Sequence, residues 1–251
     1  MLDGRTFMKI GILGAGSIGS TLAQKLAEAG HQVKVANSRG PETIDETVLA
    51  TGATAVEASD VVQDVDVLVT SIPLARMAGI RPLLEELPAD AVVIDTSNYY
   101  PLRDGHIEAL DGGQVEGLWV SEQIGRPVVK AWNAILSGTF EAKGRPAGQA
   151  GRLAIPVAGD DEVCKRAAIS LVEDTGFDTV DAGTLSESWR QQPGAPAYCT
   201  ELTQEELPAA LARAQKDLLA GRRDRVMATI GDTFGSLTSD DIAALNRATY
   251  A

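Results

Sequence analysis

The 251-residue sequence predicts an α/β protein: a Rossmann-like, doubly wound parallel sheet with a helical C-terminal extension. Three observations predict it. Gly14-Ala15-Gly16-Ser17-Ile18-Gly19 sits between an apolar strand and a helix-like run that ends at Gly30. Short apolar runs such as Val67-Leu68-Val69 and Val92-Val93-Ile94 lack the polar alternation of a half-exposed strand, as expected where both sheet faces are covered. Six to eight such strands alternate with helix-like segments, which specifies a parallel sheet.

In order, the first strand runs through Lys9-Ile10-Gly11-Ile12-Leu13 and enters the glycine turn. Gly14 permits the tight turn, Gly16 lets the backbone approach a pyrophosphate, and Gly19 lets the helix pack close to the strand. The amides and positive dipole end of a helix starting near Ser17 then face the phosphates of a dinucleotide. The second strand, through Val33 and Val35, ends in Asn37-Ser38-Arg39. An NAD enzyme usually carries Asp or Glu there, to accept from the ribose 2′-OH. Here no acid occurs before Glu42, Ser38 can donate to a 2′-phosphate, and Arg39 offers a planar fork suited to phosphate. The expected cofactor is therefore NADP (NADPH).

Gly40-Pro41 breaks the strand, and a helix is expected over residues 42–50, a short strand over 53–58 and a small helix over 59–63. The strand from Val65 ends at Ser71-Ile72-Pro73, where the proline fixes a loop at the carboxyl edge of the sheet, the edge at which open α/β sheets bind ligands. A helix follows over residues 76–86, then the strand around Val92-Val93-Ile94 and the cluster Thr96-Ser97-Asn98-Tyr99-Tyr100-Pro101. Asn98 could bond an amide or carbonyl, and the tyrosines either cover a ring or pack on the surface. His31 reads as structural and His106 as a solvated loop histidine.

Val128-Val129-Lys130-Ala131-Trp132-Asn133 is the next strand; Lys130 is a candidate for an anionic substrate or cofactor and Asn133 for a heterocycle. Gly138, Gly144, Pro146, Gly148 and Gly151 suggest a long loop that could serve as a lid. A strand over residues 153–159, a helix from Asp160-Asp161 to about Thr175 and a strand over 177–181 complete the main sheet as read from sequence.

These blocks together resemble the NADPH-dependent reductases of the deazaflavin coenzyme F-420. The blocks are residues 11–19, Asn37-Ser38-Arg39, Ser71-Ile72-Pro73, residues 128–133, Ile155-Pro156-Val157-Ala158-Gly159-Asp160-Asp161 and Asp181-Ala182-Gly183-Thr184-Leu185. The wider group includes the cytoplasmic domains of the STEAP metalloreductases, which pass hydride from NADPH to a flavin. The resemblance spans residues 9–190. Gly14, Gly16, Ser17, Asn37 and Ser71 are assigned to the NADP site, and the resemblance implies that Ser38 and Arg39 hold the 2′-phosphate and that Ile18, Ile72 and Pro73 border the nicotinamide. The acceptor, coenzyme F-420 or a flavin, would stack near Asn98, Ala131 and Trp132, with Lys130 and Asn133 of the same segment kept as candidate substrate contacts from their residue types. A small carbonyl or imine, with Lys130 or a tyrosine as proton donor, remains an alternative acceptor, and a non-catalytic NADP-sensing module remains an alternative role.

The chain is expected to divide into an NADP-binding domain, residues 1–200, and a helical arm, residues 201–251, which extends beyond a minimal family member. Leu207, Leu211, Ala214 and Leu218 recur at helical spacing, and Thr238-Ser239-Asp240-Asp241 reads as a capping box. Arg213, Lys216, Arg222, Arg223 and Arg225 form either a solvated face or a surface that packs on a second subunit, as in a homodimer, or closes over the acceptor.

Composition narrows the function classes. A net charge of −13 argues against nucleic acid and anionic membranes as partners and raises the value of Arg39 for an anionic cofactor. Cys164 and Cys199 have no metal-ligand spacing and point to a reducing, cytoplasmic setting. No apolar run is of membrane-spanning length, and Met1 to Met8 lacks an apolar signal region. No metal cluster and no catalytic acid or nucleophile can be named. That suits hydride transfer to a small-molecule acceptor, in which the cofactor carries the chemistry and the protein supplies geometry.

Overall fold

The computed structural model describes residues 7–232 and 237–250. Its strands are β1 (Lys9–Leu13), β2 (Gln32–Ala36), β3 (Thr54–Ala55), β4 (Val67–Thr70), β5 (Val92–Asp95), β6 (Val129–Lys130), β7 (Ala154–Val157) and β8 (Asp178–Asp181). Strands β1 to β6 form one parallel sheet in the order β3-β2-β1-β4-β5-β6. The chain winds outward in both directions from β1, so the switch point lies between β1 and β4, where a crevice opens beyond the carboxyl ends. Register aligns those ends: Leu13 pairs with Ala36 and with Thr70, Thr70 with Asp95, and Asp95 with Lys130. The residues that follow (Gly14, Asn37, Ser71, Thr96 and Ala131) therefore share one edge.

The helices are α1 (Ser17–Glu28), α2 (Glu46–Leu49), α3 (Arg81–Leu84), α4 (Pro101–Asp104), α5 (Glu108–Asp111), α6 (Glu116–Ile124), α7 (Ser137–Ala142), α8 (Glu162–Asp174), α9 (Leu207–Ala212), α10 (Leu219–Asp232) and α11 (Ser239–Tyr250). Alternate strand residues feed two cores. Ile10, Ile12, Val67, Val69 and Ile94 pack with Leu22 and Leu26 of α1 and with Leu171 and Val172 of α8. Leu13, Leu68 and Val93 pack on the other side with Trp119, Val120 and Ile124 of α6. Covering both faces is what favours consecutive apolar residues in these strands.

Several local expectations change. The helix expected over residues 42–50 is a 3₁₀ turn, Pro41–Thr43, followed by α2, whose cap Asp45 accepts from the Thr47 amide. The one expected over 76–86 is a 3₁₀ segment, Leu74–Ile80, running into α3. Residues 59–63 make only turns, and the strand near residue 54 is two residues long.

Strands β7 and β8 do not extend the main sheet. They pair in parallel with each other, and Ala158, just past β7, meets Lys130 of β6 through one isolated antiparallel bridge. Strand β6 is only two residues long, and the backbone turns away at Trp132, whose φ is 55°, so no longer ladder forms.

The expected lid begins as α7, and the loop after it lies at the far edge of the sheet. Gly144 sits against the Lys25 side chain near the end of α1 and against the Thr175 carbonyl, with the Arg145 amide donating to Gly176.

The C-terminal helices fold onto the same chain. Pro208 stands in the first turn of α9, where a missing amide hydrogen costs nothing. Thr238 and Asp241 close the capping box: the Thr238 amide donates to Asp241 Oδ2 (2.9 Å) and the Asp241 amide to Thr238 Oγ1 (3.2 Å). Leu219, Val226 and Tyr250 pack against Ala134, Ala195, Tyr198 and Cys199. Arg223 of the basic stretch is buried over the Tyr99 ring rather than solvated. Among the described residues, no helix is long and apolar enough to cross a membrane.

Candidate active site

The glycine turn is built as a dinucleotide cradle requires. Gly14 has φ of 113°, and a Cβ there would stand 2.1 Å from the Ser71 carbonyl oxygen. A Cβ at Gly19 would fall 1.9 Å from the Gly14 carbonyl oxygen, so only glycine lets α1 seat on the turn. At Gly16 a Cβ would meet nothing within 4 Å: this position borders open space. No side chain caps α1 and its first turn holds no acid, which leaves its N-terminal dipole available to an anion.

At the end of β2, Asn37 Oδ1 accepts from the Arg39 amide (2.8 Å) and Asn37 Nδ2 donates to Thr43 Oγ1 (2.9 Å). Asn37 thus shapes the turn with its own side chain. Ser38 and Arg39 are exposed, and their side chains form no hydrogen bond or ion pair with any described residue. A guanidinium without a carboxylate partner, in a protein this acidic, is ready to meet a phosphate.

Between the turns after β1, β4, β5 and β6 lies a cleft of about 370 Å³, within the range of small-molecule sites. Of the sequence-predicted residues it brings together Gly16, Ser17, Ile18, Ser71, Ile72, Pro73, Asn98, Trp132 and Asn133. Gly14 lies beneath the turn, and Asn37, Ser38 and Arg39 lie further along the same edge.

Lys130 and Ala131 do not reach the cleft, and this corrects their expected role. The Lys130 side chain is wholly buried, 2.7 Å from Asp95 Oδ2 and donating also to the Ser97 carbonyl. Ala131 is fully buried in the core. Trp132 borders the cleft, but its indole turns into the core and donates from Nε1 to Thr175 Oγ1 (3.4 Å), so the ring is not a stacking surface. The two expected amides brace each other. Asn98 Nδ2 donates to the Asn133 carbonyl (2.8 Å), and Asn133 Nδ2 donates to Asn98 Oδ1 (3.1 Å) and to the Gln191 carbonyl (2.8 Å). Gln191 Nε2 returns a bond to Asn133 Oδ1 (2.8 Å). This network stiffens the cleft floor and leaves Asn133 little capacity for a heterocycle.

The structure adds residues that the sequence reading did not assign. Arg103 stands at the cleft, donating to the Asn98 carbonyl (2.6 Å) with its guanidinium over the Tyr100 ring. Tyr198 and Cys199 close the far wall; Tyr198 OH and Tyr100 OH are 2.6 Å apart. Burial pushes both phenols well above the ordinary tyrosine value and the Cys199 thiol up to about 12. Behind the cleft, burial raises the Glu116 carboxyl to about 7 against the opposing pull of Lys130. No periodicity or motif marks residues 198 and 199, which lie in an irregular stretch.

The histidines stand apart from the cleft. His31 is buried, receiving the Met8 amide and lying 3.2 Å from Asp174. His106 is exposed beside Asp111. No group of His, Cys, Asp and Glu among the described residues could hold a metal ion.

Comparison with known proteins accords with this geometry. Residues 9–99, the segment from β1 through the loop after β5, match the family described as NADP oxidoreductase, coenzyme F420-dependent. The Escherichia coli K12 protein YjhV is 39% identical over 102 residues, which cover 41% of this chain and 74% of YjhV. The structure of SMa0349 from Sinorhizobium meliloti superposes with a TM-score of 0.68 at 29% identity, covering 79% of this chain and 96% of that one. A candidate F420-dependent NADP reductase from Arthrobacter sp. FB24 has a TM-score of 0.59 at 21% identity, covering 89% and 95%, a likeness that bears on the fold. The chain therefore belongs to one family with YjhV, carries over residues 9–99 the domain of NADP oxidoreductases, coenzyme F420-dependent, and is an NADP-dependent oxidoreductase.

Proposed function

We propose that the chain transfers a hydride between NADP(H), laid along the carboxyl edge of β1, β2 and β4, and a deazaflavin such as coenzyme F-420, or a flavin, stacked in the cleft. The observation that carries the reading is the free pair Ser38 and Arg39 beside the open space at Gly16. Gly14, Gly16 and the Ser17 end of α1 take the pyrophosphate, and Ser38 and Arg39 take the 2′-phosphate across a turn shaped by Asn37. Ile18, Ser71, Ile72 and Pro73 border the nicotinamide. When bound, that ring supplies the hydride and the electron pair.

The chain's own part is positional. Ile18, Ile72, Pro73 and Leu136 give the cleft apolar walls that exclude water. The Asn98–Asn133–Gln191 network holds the acceptor side rigid, with Lys130 and Asp95 fixing the Ser97 loop from below. No phenol or thiol at the cleft titrates near neutrality, which fits a ring acceptor that needs little acid–base assistance. The arm of residues 201–251 serves the cleft from behind, by fixing the wall that carries Tyr198 and Cys199.

Fluorescence titration with NADPH and NADH, followed by NADPH absorbance in the presence of coenzyme F-420 and then FMN, tests the reading. Arg39→Ala is expected to weaken NADPH binding roughly ten- to a hundred-fold, the loss of a charge-assisted contact, and to leave NADH binding unchanged. Equal affinity of the unmodified protein for both dinucleotides would overturn it.

A further inference from the structure

Two phenols meet at the far wall of the cleft, and hydride transfer to a ring acceptor calls on neither. Tyr100 follows β5 and Tyr198 comes from the segment before the arm, yet their hydroxyls lie 2.6 Å apart, a full hydrogen bond between groups 98 residues apart in sequence. Both line the cleft that also holds Ile18, Ile72 and Pro73. Each is held in place. The Arg103 guanidinium covers the Tyr100 ring at 5.4 Å. Next to Tyr198, the Cys199 amide donates to the Ala134 carbonyl (3.0 Å), and Asn246 Nδ2 of α11 donates to the Cys199 carbonyl (3.0 Å). Arg247 Nε adds a bond to the Thr200 carbonyl (2.6 Å). The arm thus clamps the segment that brings the second phenol to the cleft.

We propose that the Tyr100–Tyr198 hydroxyl pair is a proton donor to substrate and that the chain reduces a small aldehyde or ketone in this cleft, beyond any ring acceptor. This rests on the reduced nicotinamide lying against Ile18, Ile72 and Pro73. The carbonyl carbon gains a hydride, with its electron pair, from the reduced nicotinamide. The C=O π pair moves to the oxygen, and an O–H bond forms with a proton from one phenol. That phenolate recovers a proton through its partner, which is resupplied by solvent when the alcohol leaves. Two electrons and two hydrogens, one as hydride and one as proton, are added to the carbonyl.

The chemistry matches this acceptor. Desolvation keeps both phenols protonated far into the alkaline range, so they are acids too weak to matter to a weakly basic ring nitrogen. An alkoxide, which is more basic than a phenolate, takes a proton from either. Lys130 is sealed beneath the floor, both histidines lie away from the cleft, and the Cys199 thiol on the same wall is buried.

The experiment uses the full chain with NADPH and three probes: hexanal, benzaldehyde and cyclohexanone. NADPH oxidation is expected with at least one of them, slower in D₂O. Tyr198→Phe and Tyr100→Phe, which keep the rings, are each expected to lower kcat about a hundred- to ten-thousand-fold, while the NADPH dissociation constant moves by less than about threefold. Circular dichroism melts of both variants check that they fold. If no probe is reduced, or if both variants keep kcat within about threefold, the proposal is overturned. Oxidation of NADPH by coenzyme F-420 or FMN under the same conditions would then leave the hydride-transfer reading standing, whereas no oxidation with any acceptor would sink both.

Discussion

Replacing Lys130 by methionine separates a positional lysine from a chemical one. Lys130 Nζ lies 2.7 Å from Asp95 Oδ2, and neither side chain has any solvent exposure. Asp95 is otherwise served by the Ser97 amide on Oδ1 (2.9 Å) and, at the limit of bonding distance, by Thr70 Oγ1 (3.5 Å). Methionine fills nearly the same volume but leaves the Asp95 charge buried without its cation and the Ser97 carbonyl without its donor. Removing one partner of a buried pair costs about 3–5 kcal/mol, because the surviving charge has neither water nor a counter-ion. For a chain of this length each kcal/mol lowers Tm by about 2–4 °C, so a fall of roughly 6–20 °C is expected. Urea unfolding of Lys130→Met gives the free energy directly. The double variant Lys130→Met/Asp95→Asn, which removes both charges, should recover stability to within about 2 kcal/mol of the starting protein. A single variant within about 1 kcal/mol of the starting protein would refute the reasoning, as would a double variant no better than the single one.

Two further outcomes follow from the same geometry. Glu116 is held at about 7 against an ordinary 4.5, so its protonated form is favoured in the fold: the stability it contributes is complete below about 4.5 and is lost as pH rises through about 7. That loss is about 3 kcal/mol, and Glu116→Gln should abolish it, giving a variant more stable than the starting protein at alkaline but not at acidic pH in urea melts. In the glycine turn, Gly16→Ala should leave the melting temperature nearly unchanged and weaken NADPH binding, since its methyl enters space that the protein itself does not use. Gly19→Ala should instead cost about 1–3 kcal/mol or more in stability, since its Cβ would stand 1.9 Å from the Gly14 carbonyl oxygen; calorimetry and NADPH titration on the pair distinguish the two roles.

The glycine turn and the end of β2 were legible in the sequence because their requirements are local. A turn with φ of 113° at Gly14, a helix start without an acid and an arginine just past a strand are properties of a few consecutive residues. The apolar runs announced a buried parallel sheet for a similar reason: both faces are covered, so successive positions such as Val67-Leu68-Val69 and Val92-Val93-Ile94 are apolar. The weaker helices were misread because short segments such as residues 42–50 and 76–86 take their form from packing more than from propensity.

Lys130, Trp132 and Tyr198 could not be placed from sequence. Trp132 stands next to Asn133, which faces the cleft, whereas Lys130 and Ala131 are sealed below it, and their order along the chain does not say which is which. Whether Lys130 meets a ligand or Asp95 depends on β6 lying next to β5, a pairing across 35 residues. Tyr198 reaches Tyr100 only because the chain folds back through the Lys130–Ala158 bridge and α11 then grips the carbonyls of Cys199 and Thr200. The parallel sheet and the glycine turn were encoded by neighbours along the chain, and so could be read before any fold was known. Tertiary structure alone decided which polar groups face the cleft and which are sealed below it, because that choice is made by contacts between segments far apart in sequence.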